Sequence, residues 1–315
     1  MTVDFRTPDQ IRSAYENGLP GWQFNQDTMD HLFSDGKAAL FAAEAMHLAG
    51  VGAGKMALLW RSRELFDPGV YGKEAQTRGS CVSHGSRGSR DTTAAVEIHI
   101  KGEPEEYKRG ATEPTYAARD SRGEGMDPAR ATRFEADTGF LYREKYPFAD
   151  LSQLNERLAE ASLLTEVVLE ECRKHNVGKW VAAQTADQVK DLLYSGYALH
   201  SGQSYGVRGT SDNRGISVRS GSWNHDMATV GYDDTKEVYP VCVFLVANSW
   251  GKWNSKPSVW PEDRYGVWPE GSFWVDEDTY ARHFVGSRSI FAYCDIKGIP
   301  QKNLPDYGNL TNILG

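Results

Sequence analysis

The stretch Gln76-Thr77-Arg78-Gly79-Ser80-Cys81-Val82-Ser83-His84-Gly85 decides how the rest of the chain is read. Small and polar residues form a turn that feeds a cysteine, and the run from Val82 to about Ile100 reads as a helix. A cysteine at a helix N-terminus lies at the positive end of the helix dipole, which favours thiolate over thiol. Thiolate is the nucleophilic form, so this position suits a catalytic cysteine. A single cysteine establishes little. The reading depends on whether a base, an orienting group and an oxyanion donor stand elsewhere.

Two later stretches supply them. In Trp223-Asn224-His225-Asp226-Met227-Ala228-Thr229-Val230-Gly231-Tyr232, a histidine stands at the start of a short apolar strand, where its ring can face a cleft. In Val243-Phe244-Leu245-Val246-Ala247-Asn248-Ser249-Trp250-Gly251, a buried-type strand ends in an amide followed by an indole. The chain order is therefore Cys, His, Asn. Imidazole can take the thiol proton near neutral pH and later return it to a leaving group. An amide carbonyl on the second ring nitrogen would fix the tautomer.

These three segments together resemble the papain family of cysteine peptidases, and the likeness runs over roughly residues 57 to 295. Leu58-Leu59-Trp60-Arg61 is similar to the family's mature start. Gly123-Glu124-Gly125-Met126-Asp127-Pro128-Ala129 is similar to its glycine-rich substrate-binding turn, and Thr138-Gly139-Phe140 with Lys145-Tyr146-Pro147-Phe148 to the segment after that turn. Tyr265-Gly266 to Val275 resembles the late strand pair. The resemblance implies an α+β, two-lobed fold. It places a helical lobe at residues 58–175 with Cys81 on its central helix, and an antiparallel β-barrel-like lobe at 176–315 with His225 and Asn248. Residues 1–57 form a helical N-terminal extension, a cover or an assembly arm. Cys81 is then the nucleophile, His225 its base and acid, and Asn248 the orienter. Trp250 shields the His–Asn bond, and Gly125, Met126 and Asn224 meet the substrate backbone.

Four positions depart from the family pattern. Ala75 stands six residues before the cysteine, where the oxyanion glutamine belongs, and Gln76 stands five before. Val82 replaces an aromatic residue, Met126 a glycine, and Asp226 a small residue. Asp226 is expected to raise the imidazole pKa or to point to solvent. Arg78 and Gly123 stand near the places of a common family disulfide, whose cysteines are absent. That fits a bacterial or phage member in a reducing setting. The expected function is thiol-dependent cleavage of peptide or protein substrates, without a cofactor or metal. The alternatives are a weak or inactive structural component of a larger assembly such as a phage virion, and acyl transfer by the same triad.

The bulk properties agree. With 315 residues and 40% hydrophobic content the chain can bury a substantial core. Its net charge of −8, with acids and bases interspersed, argues against nucleic-acid or anionic-membrane binding. No window approaches the ~20 apolar residues of a membrane span, and the N-terminus has no signal-peptide core. The expected location is therefore cytoplasmic or virion-associated. Cys81, Cys172, Cys242 and Cys294 form no C-x-x-C pair, which disfavours structural zinc and a disulfide framework. Cys81-x-x-His84 is half a metal site at most, and His84 reads as a surface residue; the six histidines outside these motifs, His200 among them, take a structural reading. Helical patterns run from Asp27 to Leu48, from Leu151 to Lys174 and from Thr185 to Leu193. Thr7 and Asp127 read as N-caps, and Lys101–Gly125 as mostly loop. Strands are expected at Ala228–Tyr232, Val238–Asn248, Gly271–Val275 and Ser289–Cys294.

Overall fold

A computed structural model describes residues 5–103, 106–120 and 123–294. Positions 104, 105, 121 and 122 of the expected loop, and 295–315 of the expected second lobe, lie outside the described residues. Helices dominate up to His175 and strands afterwards, so the α+β organisation stands.

The first helix, α1 (Pro8–Glu16), begins as its sequence requires. Thr7 accepts from the Gln10 N–H, Gln10 reaches back to the Thr7 N–H, and Pro8 occupies the first turn. The expected long helix from Asp27 to Leu48 is instead α2 (Gln26–Ser34), a short strand β1 (Ala38–Leu40) and short helical turns. Gly36, at φ +68°, reverses the chain in the left-handed region that side chains resist. The apolar residues after it then serve a strand. The long helix expected from Leu151 to Lys174 is also shorter: only Glu166–Cys172 is α-helical, preceded by turns and one short 3-10 turn. The short helices over Pro128–Asp137 and Ala186–Tyr194 form with Asp127 and Thr185 as their N-caps. Glu113–Ala117 adds a helical turn within the expected loop.

The remaining strands are β2 (Met56–Ala57), β3 (Lys179–Ala182), β4 (Leu199–Gln203), β5 (Val207–Ser211), β6 (Ser217–Arg219), β7 (His225–Asp233), β8 (Val243–Ala247), β9 (Ser272–Asp276) and β10 (Ile290–Cys294). Eight of them form one open sheet in the order β1-β3-β10-β4-β7-β8-β9, with β2 also on β7, while β5 and β6 pair separately. Among the described residues no closed barrel forms. β1 and β2 come from the first 57 residues, so the extension is built into the sheet lobe. Successive side chains of a strand face opposite ways. Phe244 and Val246 enter the main core, and Val243, Leu245 and Ala247 enter a second core with Trp60, Trp260, Tyr265 and Trp274.

The central helix, Cys81–Val96, packs across β7 and is almost wholly buried despite its serines, arginines and aspartate. Two glycines make that approach possible: a Cβ on Gly85 would lie 1.9 Å from Asp226 Oδ1, and one on Gly88 would lie 2.9 Å from Ala228 Cβ. Its charges are paired internally. Arg90 meets Glu135 at 2.9 Å and lies over the Phe140 ring, Arg63 meets Asp91 at 3.3 Å, and Arg87 meets Glu74. No helix among the described residues is long and apolar enough to cross a membrane.

Candidate active site

Cys81 begins the central helix and is fully buried. Its sulfur lies near the Val82 and Asp226 backbone N–H groups and the Tyr15 hydroxyl, which all favour the thiolate. The Asp226 contact seats the thiol at the end of β7 where His225 stands. His225 is also fully buried; its Nε2 lies 2.7 Å from Asn248 Oδ1, at the end of β8. The Ser249 N–H also donates to that oxygen, at 2.7 Å, which fixes the amide. With Nε2 donating to the amide, Nδ1 is the unprotonated nitrogen of the neutral ring, and it has no hydrogen-bond partner among the described residues. The Trp250 ring stacks on His225 at 4.8 Å and is itself fully buried.

Gln76 reaches the site despite standing one residue out of register. Its backbone N–H donates to Ser249 O at 2.8 Å, and the Ser249 hydroxyl donates to Gln76 Oε1. With the carbonyl side engaged, Nε2 points inward and donates to the Tyr15 hydroxyl at 2.9 Å and to Arg78 O at 2.8 Å. Glu156 fixes the turn between Gln76 and Cys81: Thr77, Ser80 and His84 all bond to its buried carboxylate. Burial pushes the Glu156 pKa up, but the bonds from His84, Ser80 and Thr77 hold it below the usual range. His84 is therefore a buried anchor, 2% exposed, and not the surface residue its spacing suggested. Where the family disulfide is missing, Glu160 bridges Arg78 at 2.6 Å and Arg119 at 2.7 Å.

A segment of this same chain fills the cleft. Tyr15 of α1 is fully buried, with its ring 4.6 Å from His225 and 5.4 Å from Trp250. Beyond α1 the chain pairs along the groove: Met126 N–H donates to Gly21 O at 2.8 Å, Gln23 N–H to Met126 O at 3.0 Å, and Trp22 N–H to Asn224 O at 2.8 Å. Gly125, at φ +92°, turns the chain so that the Met126 main chain faces the groove. The Met126 side chain goes into the core, so it does not obstruct that edge. Arg6 anchors the start of the arm to Glu124 at 2.9 Å.

Burial under this arm sets the protonation states. It pushes the Cys81 thiol up to about 12, with the Asp226 carboxylate adding to the shift and the Tyr15, Asp226 and Val82 donors opposing it. It lowers the His225 pKa to about 3, against the bond to Asn248 and together with the charge of His84. Thiol and imidazole are both neutral when covered.

Asp226 neither bonds His225 nor faces solvent. It is fully buried on the opposite face of β7, 3.2 Å from His200 Nδ1. Tyr15, Glu156 and Ser249 belong to the site and were not singled out in the sequence. The i,i+4 spacing of the apolar residues Ile11 and Tyr15 on α1 was the available signal for the first. Asp234, Cys242 and Glu277 bring potential metal ligands within 4.8 Å of one another. The Lys190 ammonium already meets Asp234 at 3.5 Å and Glu277 at 2.8 Å, so the cluster works as an ion-pair group.

No protein-family model matches the chain, and no curated protein sequence is similar to it. Solved structures are. Procathepsin L 3 from the larval midgut of Tenebrio molitor superposes with a TM-score of 0.52 at 14% identity, covering 92% of this chain and 83% of that one. The ragweed pollen cysteine protease Amb a 11, in its proform, gives 0.53 at 12% identity, covering 97% and 78%. Such identities speak for the fold alone. This chain has the two-lobed, papain-like fold of cysteine proteases.

Proposed function

We propose that the chain is a papain-like cysteine peptidase whose Cys81 attacks the carbonyl carbon of a peptide bond. His225 Nδ1 takes the thiol proton, and its Nε2–H stays on Asn248. The tetrahedral oxyanion is met by Gln76 Nε2. Collapse expels the amine, which receives its proton from His225, and leaves a thioester on Cys81. Water, deprotonated by His225, then attacks the thioester, releasing the acid and restoring the thiol. A preset donor such as Gln76 is worth roughly a hundred- to a thousandfold in rate. The observation that carries the reading is the Tyr15 hydroxyl, held between Gln76 Nε2 and the Cys81 sulfur. A polar oxygen already occupies the place where a substrate oxyanion would stand.

On the same reading, residues 5–24 hold the enzyme latent. The covered thiol is protonated at neutral pH, and the Met126 and Asn224 main chains are engaged by the arm and not by substrate. Two of the similar structures are described as proforms, and the matches span enough of this chain to include most of its first 57 residues.

The test uses the full-length chain, an epoxide thiol trap and a peptide substrate. Tyr15→Ala is expected to label at Cys81 at least tenfold faster than the parent and to gain turnover. Cys81→Ala in that background abolishes both. Absence of labelling in folded Tyr15→Ala protein would overturn the proposal in favour of a structural role. Labelling with amine-capped products, when amine acceptors are added, would turn the reading to acyl transfer.

A further inference from the structure

Asp226 and His200 form a buried pair that the mechanism above does not use. Asp226 follows His225 directly, so its side chain leaves the opposite face of β7 and enters the seam with the central helix. Its Oδ1 fills the space that only a glycine at position 85, one turn after Cys81, leaves open. Both carboxylate oxygens lie 3.2 Å from His200 Nδ1 on β4, and both residues are fully buried. The His200 ring packs edge-on to Trp180 at 5.3 Å and near Phe291 at 5.9 Å; its Nε2 has no hydrogen-bond partner among the described residues. The backbone N–H of Asp226 lies near the Cys81 sulfur and favours its thiolate. The carboxylate therefore belongs to the same residue that holds the thiol.

An uncompensated anion here would oppose formation of a second anion on sulfur. The other charged groups around the seam are committed elsewhere. Arg63, Glu74, His84 and Arg87 line the small cavity that Asp226 shares, but Arg87 pairs with Glu74, Arg63 with Asp91, and His84 with Glu156. Tyr15, on the cleft side, meets the sulfur and not Asp226. His200 is left as the group able to cancel the Asp226 charge.

We propose that His200 and Asp226 act as a charge-neutral positioning pair. Asp226 locks the start of β7 against the central helix, and His200, bonded to both of its oxygens, limits how far that carboxylate opposes a Cys81 thiolate. The proposal rests on Cys81 being the reactive thiol, but its test does not require turnover.

The experiment measures the pH midpoint of Cys81 alkylation by iodoacetamide in full-length Tyr15→Ala protein. His200→Gln keeps a donor to Asp226 but cannot cancel its charge. It is expected to move the midpoint up by about one pH unit, a tenfold loss of thiolate well below the midpoint. Adding Asp226→Asn makes the pair uncharged and returns the midpoint to the parent value. An unchanged midpoint in His200→Gln, or one that the double variant fails to restore, overturns the proposal. If His200→Gln does not fold, recovery of folding in the double variant supports charge cancellation, and failure of both overturns it. Loss of peptidase turnover with the midpoints behaving as expected would count against the proposed function and leave this pair intact.

Discussion

The two halves of the site are held by different physics. His225 and Asn248 stand on β7 and β8, whose ladder registers are continuous apart from one bulge and whose side chains alternate between two apolar cores. Cys81 stands on a helix made largely of Ser, Gly, Arg, Asp and Thr that is nonetheless buried. Its placement relies on ion pairs to distant segments, Glu135 and Glu74 among them, and on glycine contacts with β7. The strand side tolerates changes that keep apolar volume. The helix side is expected to tolerate less, because each lost charge leaves its buried partners short of compensation. The reactive geometry is therefore most fragile on the cysteine side.

The largest break in this contrast is expected from Glu135→Gln. The change keeps size but leaves Arg90 with only its longer contact to Asp91, at 3.5 Å, and losing one partner of a buried pair typically costs about 3–5 kcal/mol. Leu245→Met on β8, equally conservative in volume, should cost less than about 1.5 kcal/mol. Denaturant unfolding of the two variants measures the difference; similar losses would show that the helix is not charge-anchored.

Next comes Gly85→Ala, whose Cβ would fall 1.9 Å from Asp226 Oδ1. Overpacking of that kind costs about 1–3 kcal/mol. It should also slow trap labelling of Cys81 in the Tyr15→Ala background, because the helix must move relative to β7. Unaltered labelling would separate the seam from the site's geometry.

The smallest effect concerns pH and the arm. His225 has an ordinary pKa of 6.5, lowered to about 3 when covered. A depressed histidine pKa means that the open arm binds the extra proton, so closure is fully favoured above about 6.5 and weakens as pH falls towards 3. Protection of residues 8–24 against hydrogen exchange, relative to the intrinsic rate at each pH, should therefore fall as pH is lowered from about 6.5 towards 3. Protection that stays constant between pH 7 and pH 4 would remove His225 from control of the arm.

Much of the site was legible because its signals are local. Cys81 before a helix, His225 opening an apolar strand and Asn248 closing another are patterns of a few residues each. The N-caps at Thr7 and Asp127 were equally local, and both form. The failures occurred where distant groups compete with local pattern. Ala38–Leu40 carried helix-like spacing yet pairs with β3 across the chain, and His84 looked like a surface residue yet is claimed by Glu156. Asp226 could not be read at all without Gly85 and His200.

Sequence by itself determined the order of Cys81, His225 and Asn248, the change from helices to strands, and the presence of a glutamine near the thiol. Those features depend on residue type and short spacing. Only the tertiary structure decided that Ser249 turns the Gln76 amide inward, that Asp226 is hidden against the central helix, and that Tyr15 covers the thiol. Each of those outcomes joins residues at least 61 positions apart, or 141 for Gly85 and Asp226, and burial and hydrogen bonding at such separations are settled only when the chain has folded.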